Sequence, residues 1–303
     1  MTLLAFLLVT ISAFTHAFWN FLSKRQNPPA AFFLMASLAA VVIFSPVLFF
    51  FRDGLTVIPP AVWGLIAATG AVQAIYYIFL AGAYRSGDLS HAYPLARSLP
   101  VVLVALVSVL LGRGDQIRPL AYVGFAAVTA GCFLLPLPKF SDLSTSHYRQ
   151  KWVVFALLAA ACITGYTLLD DQSLRILRSL PEMPLSNLAW SFLYVELETI
   201  SLSLFLTLFL LFWRPEWQVL SQARLPEWRT AGVMGFIITA TYGLVLLAMA
   251  YVDNVSYVSA FRQLSTPIGA ALGIVVRREA ATPPKLTGIG LVIFGLTWVA
   301  LSN

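Results

Sequence analysis

Two arginines, Arg97 and Arg262, stand inside stretches of chain otherwise apolar enough for lipid. An ionisable side chain at the centre of a membrane helix costs about 2.5–3.5 kcal/mol on insertion scales, so it normally faces protein or water. A planar guanidinium suits a carboxylate, phosphate or phosphonate. The chemistry these residues can do is to bind an anionic or zwitterionic ligand. Glu198 is their acidic counterpart. It is a candidate for proton coupling or for holding an arginine, whereas a cationic ligand would call for an unpaired carboxylate.

Spacing places these groups on helical faces. Asn187, Ser191, Tyr194, Glu198 and Ser201 alternate steps of four and three residues, so they form one continuous polar face. Glu196 falls on a different face, among apolar residues. Ser12, His16 and Asn20 recur every four residues, flanked by Thr15 and Trp19. Thr69, Gln73, Tyr76 and Tyr77 follow a similar pattern, and Tyr166 and Asp170 are one turn apart. Plainer roles stand beside the functional ones. His16 can serve an interhelical hydrogen bond, and Tyr76, Tyr77 and Tyr93 can be packing residues with satisfied hydroxyls. Asp170 and His91 sit near segment ends, where an interfacial role and a ligand role are both open. For Arg97 the functional reading leads. In "HAYPLARSLP" (residues 91–100) Pro94 and Pro100 are expected to loosen the helix and free backbone carbonyls that need water or neighbours. Gly269 and Gly273 form a small-xxx-small pair, which reads as close helix packing.

The elements that must position these residues follow from composition. The 303 residues are 59% hydrophobic and 11% charged, against about 25% charged in soluble domains. That excludes a soluble protein. A membrane-crossing helix needs roughly 20 apolar residues. Ten such segments are expected, at 2–23, 30–51, 61–84, 89–111, 119–136, 152–174, 186–213, 229–251, 256–276 and 286–302. The first lacks the basic start of a cleavable signal. Cys132 and Cys162 lie inside apolar spans as small packing residues, with no disulfide or metal framework. The net charge of +6 reflects basic loops, so it bears on orientation and not on nucleic acid. The loops after odd-numbered segments carry most of the lysine and arginine, which would put both termini outside.

"LAGAY" (Leu80–Tyr84) reappears as "LAMAY" (Leu247–Tyr251). Ser98 and Pro100 match Ser265 and Pro267 at the same offset, and Gly124 and Gly131 match Gly288 and Gly295 at nearly that offset. The expected fold is therefore all-α and integral to the membrane: ten transmembrane helices as two five-helix repeats, residues 1–140 and 150–303. Two consecutive odd-numbered halves must sit with opposite orientation, and such inverted repeats place a substrate site at their interface near the midplane.

The chain resembles the drug/metabolite transporter superfamily, EamA type, over essentially its whole length. The resemblance rests on the repeated Ala-Tyr…Pro…Gly pattern, with "HAFWN", "AYRSGDLSHAYPLARSLP" and "GYTLLDD" similar to a bacterial branch. It implies a secondary transporter working by alternating access in a bacterial cytoplasmic (inner) membrane, with both termini cytoplasmic, opposite to the charge count. It also implies a central cavity lined by His16, Trp19, Asn20, Tyr77, Tyr93, Arg97, Tyr166, Tyr242 and Arg262. The expected partners are a small-molecule metabolite, a coupling proton at Glu198 and membrane lipid. No cofactor, metal or nucleic acid is expected, and one chain can form a complete site as a monomer. Export of amphipathic cations, using the aromatic lining and Glu198, is the alternative. A lipid-acting membrane enzyme is less favoured, since HExxH, GxSxG and Walker motifs are missing from the sequence.

Overall fold

The apolar segments become helices that satisfy their own backbone, as a lipid environment demands. The computed structural model describes residues 1–23, 29–86, 89–142, 151–181 and 185–302; the side chains of residues 19–23, 84, 89–95 and 277 are outside the description. The described residues form no strands. Their α-helices are α1 (Leu3–Ser23), α2 (Ala30–Phe44), α3 (Pro46–Phe50), α4 (Arg52–Thr56), α5 (Pro60–Ser86), α6 (Leu89–Leu110), α7 (Ala121–Leu134), α8 (Lys151–Arg178), α9 (Asn187–Leu211), α10 (Arg214–Gln222), α11 (Leu225–Ala248), α12 (Val255–Phe261), α13 (Ser265–Arg277) and α14 (Pro283–Leu301).

Six helical stretches among the described residues are long and apolar enough to cross a membrane: Ala30–Phe50, Pro60–Ala83, Lys151–Arg178, Asn187–Leu211, Leu225–Tyr251 and Pro283–Leu301. Leu3–Phe18, Ala96–Leu110 and Ala121–Leu134 are shorter apolar helices. Large apolar side chains face outward, among them Ile11, Phe14 and Phe18 on α1, Leu204 and Leu208 on α9, and Ile293 and Phe294 on α14.

Local sequence explains the boundaries. Pro46 opens α3 and separates it from α2, since proline is tolerated in a first turn but not in a helix interior. Ser186 caps α9 by accepting the Ala189 N–H at 3.2 Å. Asn254 caps α12 by accepting the Ser256 N–H at 2.9 Å.

The expected loosening falls in a different place from the one the prolines around Arg97 suggest. Helix α6 runs unbroken through Pro94 and Pro100. The break lies at Arg262–Leu264, a 3-10 turn between α12 and α13. Pro267, in the first turn of α13, cannot donate to the turn before it. Side chains cap the carbonyls there: Ser265 Oγ donates to the Arg262 carbonyl at 2.9 Å, and Thr266 Oγ1 donates to that of Gln263.

Helix partners come in recurring combinations. Helix α5 packs on α8 and α9, α11 on α1 and α2, α6 on α8 and α7, α13 on α1 and α14, and α2 against α9. Helices α7 and α14 meet backbone to backbone. A Cβ on Gly131 would lie 2.7 Å from the Gly288 carbonyl oxygen, and one on Gly288 would lie 2.7 Å from that of Gly131; Gly124 and Gly295 mirror this at the same distance. Glycine is required where backbones approach so closely. Gly269, by contrast, has nothing within 4 Å of its Cβ position, and the three atoms nearest a Cβ on Gly273 all belong to the Glu279 side chain, so that small-xxx-small pair is no backbone seam.

Candidate functional site

One cavity, of about 110 Å³, is walled by α1, α2, α5, α6, α8, α9, α11 and the 262–264 turn. It is of the order of the roughly 150 Å³ that accommodates benzene in an engineered protein cavity, so it suits a small molecule. Helix α1 contributes Ser12 and His16, one turn apart. Helix α5 contributes Gln73, Tyr76 and Tyr77, α6 Arg97, α8 Tyr166, α9 Glu198 and Thr199, and α11 Thr241 and Tyr242. Arg262 enters from the break, and Phe33 and Ser37 from α2 complete the wall.

The nitrogen-bearing side chains converge. The Arg97 guanidinium donates to His16 Nε2 at 3.0 Å. Arg262 lies beside Tyr166 and 5.3 Å from the centre of the Tyr242 ring. The rings form a chain of contacts: Phe33 stacks on Tyr77 at 4.5 Å, Tyr77 lies 5.0 Å from Tyr76, Tyr76 meets Tyr166 edge-on at 5.9 Å, and Tyr166 meets Tyr242 at 5.9 Å. Glu198 stands on the α9 wall, where Gln73 Nε2 donates to its Oε1. Ser12 Oγ donates to the Thr241 carbonyl at 3.1 Å and so ties α1 to α11.

Behind the Tyr242 wall lies Asp170, fully buried. Its Oδ1 accepts from Thr69 at 2.7 Å and Tyr194 at 2.9 Å, and its Oδ2 accepts from Tyr242 at 2.5 Å. One carboxylate thereby fastens α5, α9 and α11 to α8. The next residue, Asp171, accepts from Arg113 at 2.9 Å and from Arg175 at 2.8 Å. Arg175 also donates to the Asp253 carbonyl at 2.9 Å. This end of the bundle is the one where the Thr2 N–H meets the Tyr251 carbonyl at 3.2 Å. At the other end Arg85 pairs with Glu216 at 2.5 Å, and Glu216 accepts the Ala31 N–H at 2.9 Å at the start of α2.

Of the residues expected to bind substrate, His16, Tyr77, Arg97, Tyr166, Tyr242 and Arg262 line this cavity, with Glu198. The side chains of Trp19, Asn20 and Tyr93 lie outside the described residues. Sequence reasoning left Asp170 unassigned. Its hydropathy-based segment ends at 174, whereas α8 continues to Arg178, which puts the carboxylate two turns inside the helix. Phe33 and Ser37 gave no signal, because α2 is apolar all round.

The first half of the chain matches a known family: residues 2–137 align with the EamA-like transporter family. That family lies within the drug/metabolite transporter superfamily, and the match spans just under half of the chain. The match to a transporter family and the six long apolar helices together support an integral membrane protein. No curated protein matches the sequence. The chain also superposes on a solved crystal structure of a protein over 99% of each chain, with a TM-score of 0.67 at 15% identity. That likeness shows a shared fold across the whole length and nothing about the ligand.

Proposed function

We propose that this chain is a secondary transporter of a small anionic or zwitterionic metabolite, working by alternating access through the central cavity. The observation that carries the reading is the convergence of Arg97, His16 and Arg262 on one small, aromatic-walled cavity in a helical bundle. Paired guanidiniums suit a carboxylate or phosphate. Their desolvation inside apolar helices needs a functional return.

In this reading ten helices cross a bacterial cytoplasmic membrane as two inverted halves, residues 1–140 and 150–303. The helix partnerships support it. Exchanging α1 with α8, α2 with α9, α5 with α11, α6 with α13 and α7 with α14 turns the α5–α8 contact into α11–α1, α5–α9 into α11–α2, and α6–α8 into α13–α1. The α2–α9 and α7–α14 contacts map onto themselves, as a two-fold axis between halves requires. The ion-pair networks at the two ends suit gates that open in turn, and one chain suffices for the site. Glu198 is the candidate for proton coupling. Its carboxyl and the tyrosines also favour a second reading, an exporter of amphipathic cations.

The test is ligand-induced thermal stabilisation of the detergent-purified protein by a panel of anions, zwitterions and cations, repeated on Arg97→Ala. Stabilisation by anion-bearing ligands that is lost in the variant is the expected result. Equal stabilisation of both proteins by cations alone would overturn the anion reading in favour of the exporter.

A further inference from the structure

Helix α10 lies at the end of the bundle where Arg85 meets Glu216, in contact with α2 and α9. Its faces differ. Trp213 and Leu220 pack into the core, and the buried Glu216 shares their face. Arg214, Gln218 and Gln222, four residues apart, form the opposite face and are exposed. Trp217 and Val219 flank that face and are exposed as well, as are Phe212 before the helix and Leu225 after it. Arg224 and Arg229, at the start of α11, are also exposed. Glu216 matches Arg85, but among the described residues Arg214, Arg224 and Arg229 form no ion pair. Glu227 is the one further acid between residues 212 and 230, and it accepts the Arg224 backbone N–H at 3.0 Å. This corner of the molecule is therefore basic and apolar at once.

We propose that α10 and the start of α11 form a docking surface for anionic phospholipid, with headgroup phosphate on Arg214, Arg224 and Arg229 and acyl chains against Trp217, Val219 and Leu225. A polar helix face edged by exposed tryptophan and aliphatic side chains suits a helix lying in the plane of a membrane interface. Tryptophan favours headgroup depth, and guanidinium groups meet phosphate oxygens in paired hydrogen bonds. The uncompensated charge selects among lipids. A zwitterionic headgroup brings its own cation beside the arginines, whereas an anionic one brings net negative charge. A soluble anion would use the arginines and leave the apolar flank in water. The bundle feels the lipid through Glu216, whose carboxylate holds Arg85 on α5 and the Ala31 N–H on α2. A lipid that holds α10 in place steadies that end of the molecule.

The experiment titrates the detergent-purified full chain with dioleoyl-phosphatidylglycerol and, separately, with dioleoyl-phosphatidylcholine, which share acyl chains and differ in headgroup. Bound lipid is counted by native mass spectrometry, and stability is followed by thermal shift. An arginine near an anionic surface is worth about fivefold in binding. With three, phosphatidylglycerol should bind the wild type at least about tenfold tighter than phosphatidylcholine and raise the unfolding midpoint. The triple variant Arg214→Gln, Arg224→Gln, Arg229→Gln should bring that ratio to about one. Arg52→Gln with Arg118→Gln, exposed at the opposite end, should leave it unchanged. Glycerol 3-phosphate, a soluble stand-in for the headgroup, should not stabilise the chain at matched concentration. Equal binding of the two lipids by the wild type would overturn the proposal. A triple variant that keeps the preference would also overturn it, by placing the lipid elsewhere. Glycerol 3-phosphate acting as well as the lipid would replace the lipid with a free anion. The comparison of lipids on the wild type needs no variant, so the test survives a misfolded triple variant, and none of its outcomes depends on what the central cavity binds.

Discussion

Gly131→Ala adds one methyl group where the α7–α14 seam has no room. The new Cβ would lie 2.7 Å from the Gly288 carbonyl oxygen and 2.8 Å from the Val292 nitrogen. Both are backbone atoms and neither can rotate away. Each distance is more than half an ångström short of ordinary contact, so the two helices must part. Overpacking of this kind costs about 1–3 kcal/mol. At a few degrees per kcal/mol, the apparent unfolding midpoint should fall by roughly 2–8 °C. Gly290→Ala on α14 is the matched control, because nothing lies within 4 Å of its Cβ position. There the better helix propensity of alanine should leave stability unchanged or raise it by up to about 1 kcal/mol. Adding Gly288→Ala to Gly131→Ala should cost less than a second full penalty, since the same parting of helices relieves both contacts. The assay is thermal unfolding in detergent at one fixed scan rate, followed by loss of the monodisperse species. The seam also braces the cavity. Thr129 Oγ1 on α7 donates to the Ser98 carbonyl beside Arg97 at 3.4 Å, and Cys132 lies 3.6 Å from Thr266 beside the Arg262 break. Gly131→Ala should therefore also weaken ligand binding. A Gly131→Ala protein that unfolds together with Gly290→Ala would refute the backbone contact.

Asp170→Asn replaces one of two accepting oxygens with a donor that must face a hydroxyl. It should lower ligand affinity at least about tenfold with expression kept, read by equilibrium binding, and full retention of binding would show that the Tyr242 wall does not need this anchor. Asp171→Asn should lower the unfolding midpoint more than Arg175→Gln does, because Arg113 still holds the carboxylate in the second variant; equal midpoints would mean the buried pair carries no net weight. Glu196 is fully buried and neither carboxyl oxygen has a partner among the described residues. Replacing it with methionine removes a cost of about 1–3 kcal/mol, so Glu196→Met should raise the midpoint, and a fall would point to a partner for this carboxyl.

What the sequence revealed of the site follows the cost of polar groups in lipid. Arg97, Arg262, His16 and Glu198 stand out because an apolar run offers them no neutral place, and the structure gathers all four at one cavity. The face carrying Ser191, Tyr194, Glu198 and Ser201 was legible for the same reason, and these residues are buried against α5 and α8. Tyr242 came only through resemblance, because a lone tyrosine in an apolar helix has no periodic signal. Asp170 stayed ambiguous because its partners Thr69, Tyr194 and Tyr242 sit on three other helices, and spacing along one helix says nothing about them. The glycines show the same limit: Gly269 and Gly273 have the tighter motif spacing, yet the seam runs through Gly124, Gly131, Gly288 and Gly295. Small residues permit close approach, but which neighbour takes it up is a tertiary fact. Prolines near both arginines divide in the same way. Around Arg97 the helix absorbs Pro94 and Pro100 without breaking. Around Arg262, hydroxyls from Ser265 and Thr266 stand ready to take the carbonyls of a 3-10 turn. The break goes where side chains can satisfy the backbone it exposes.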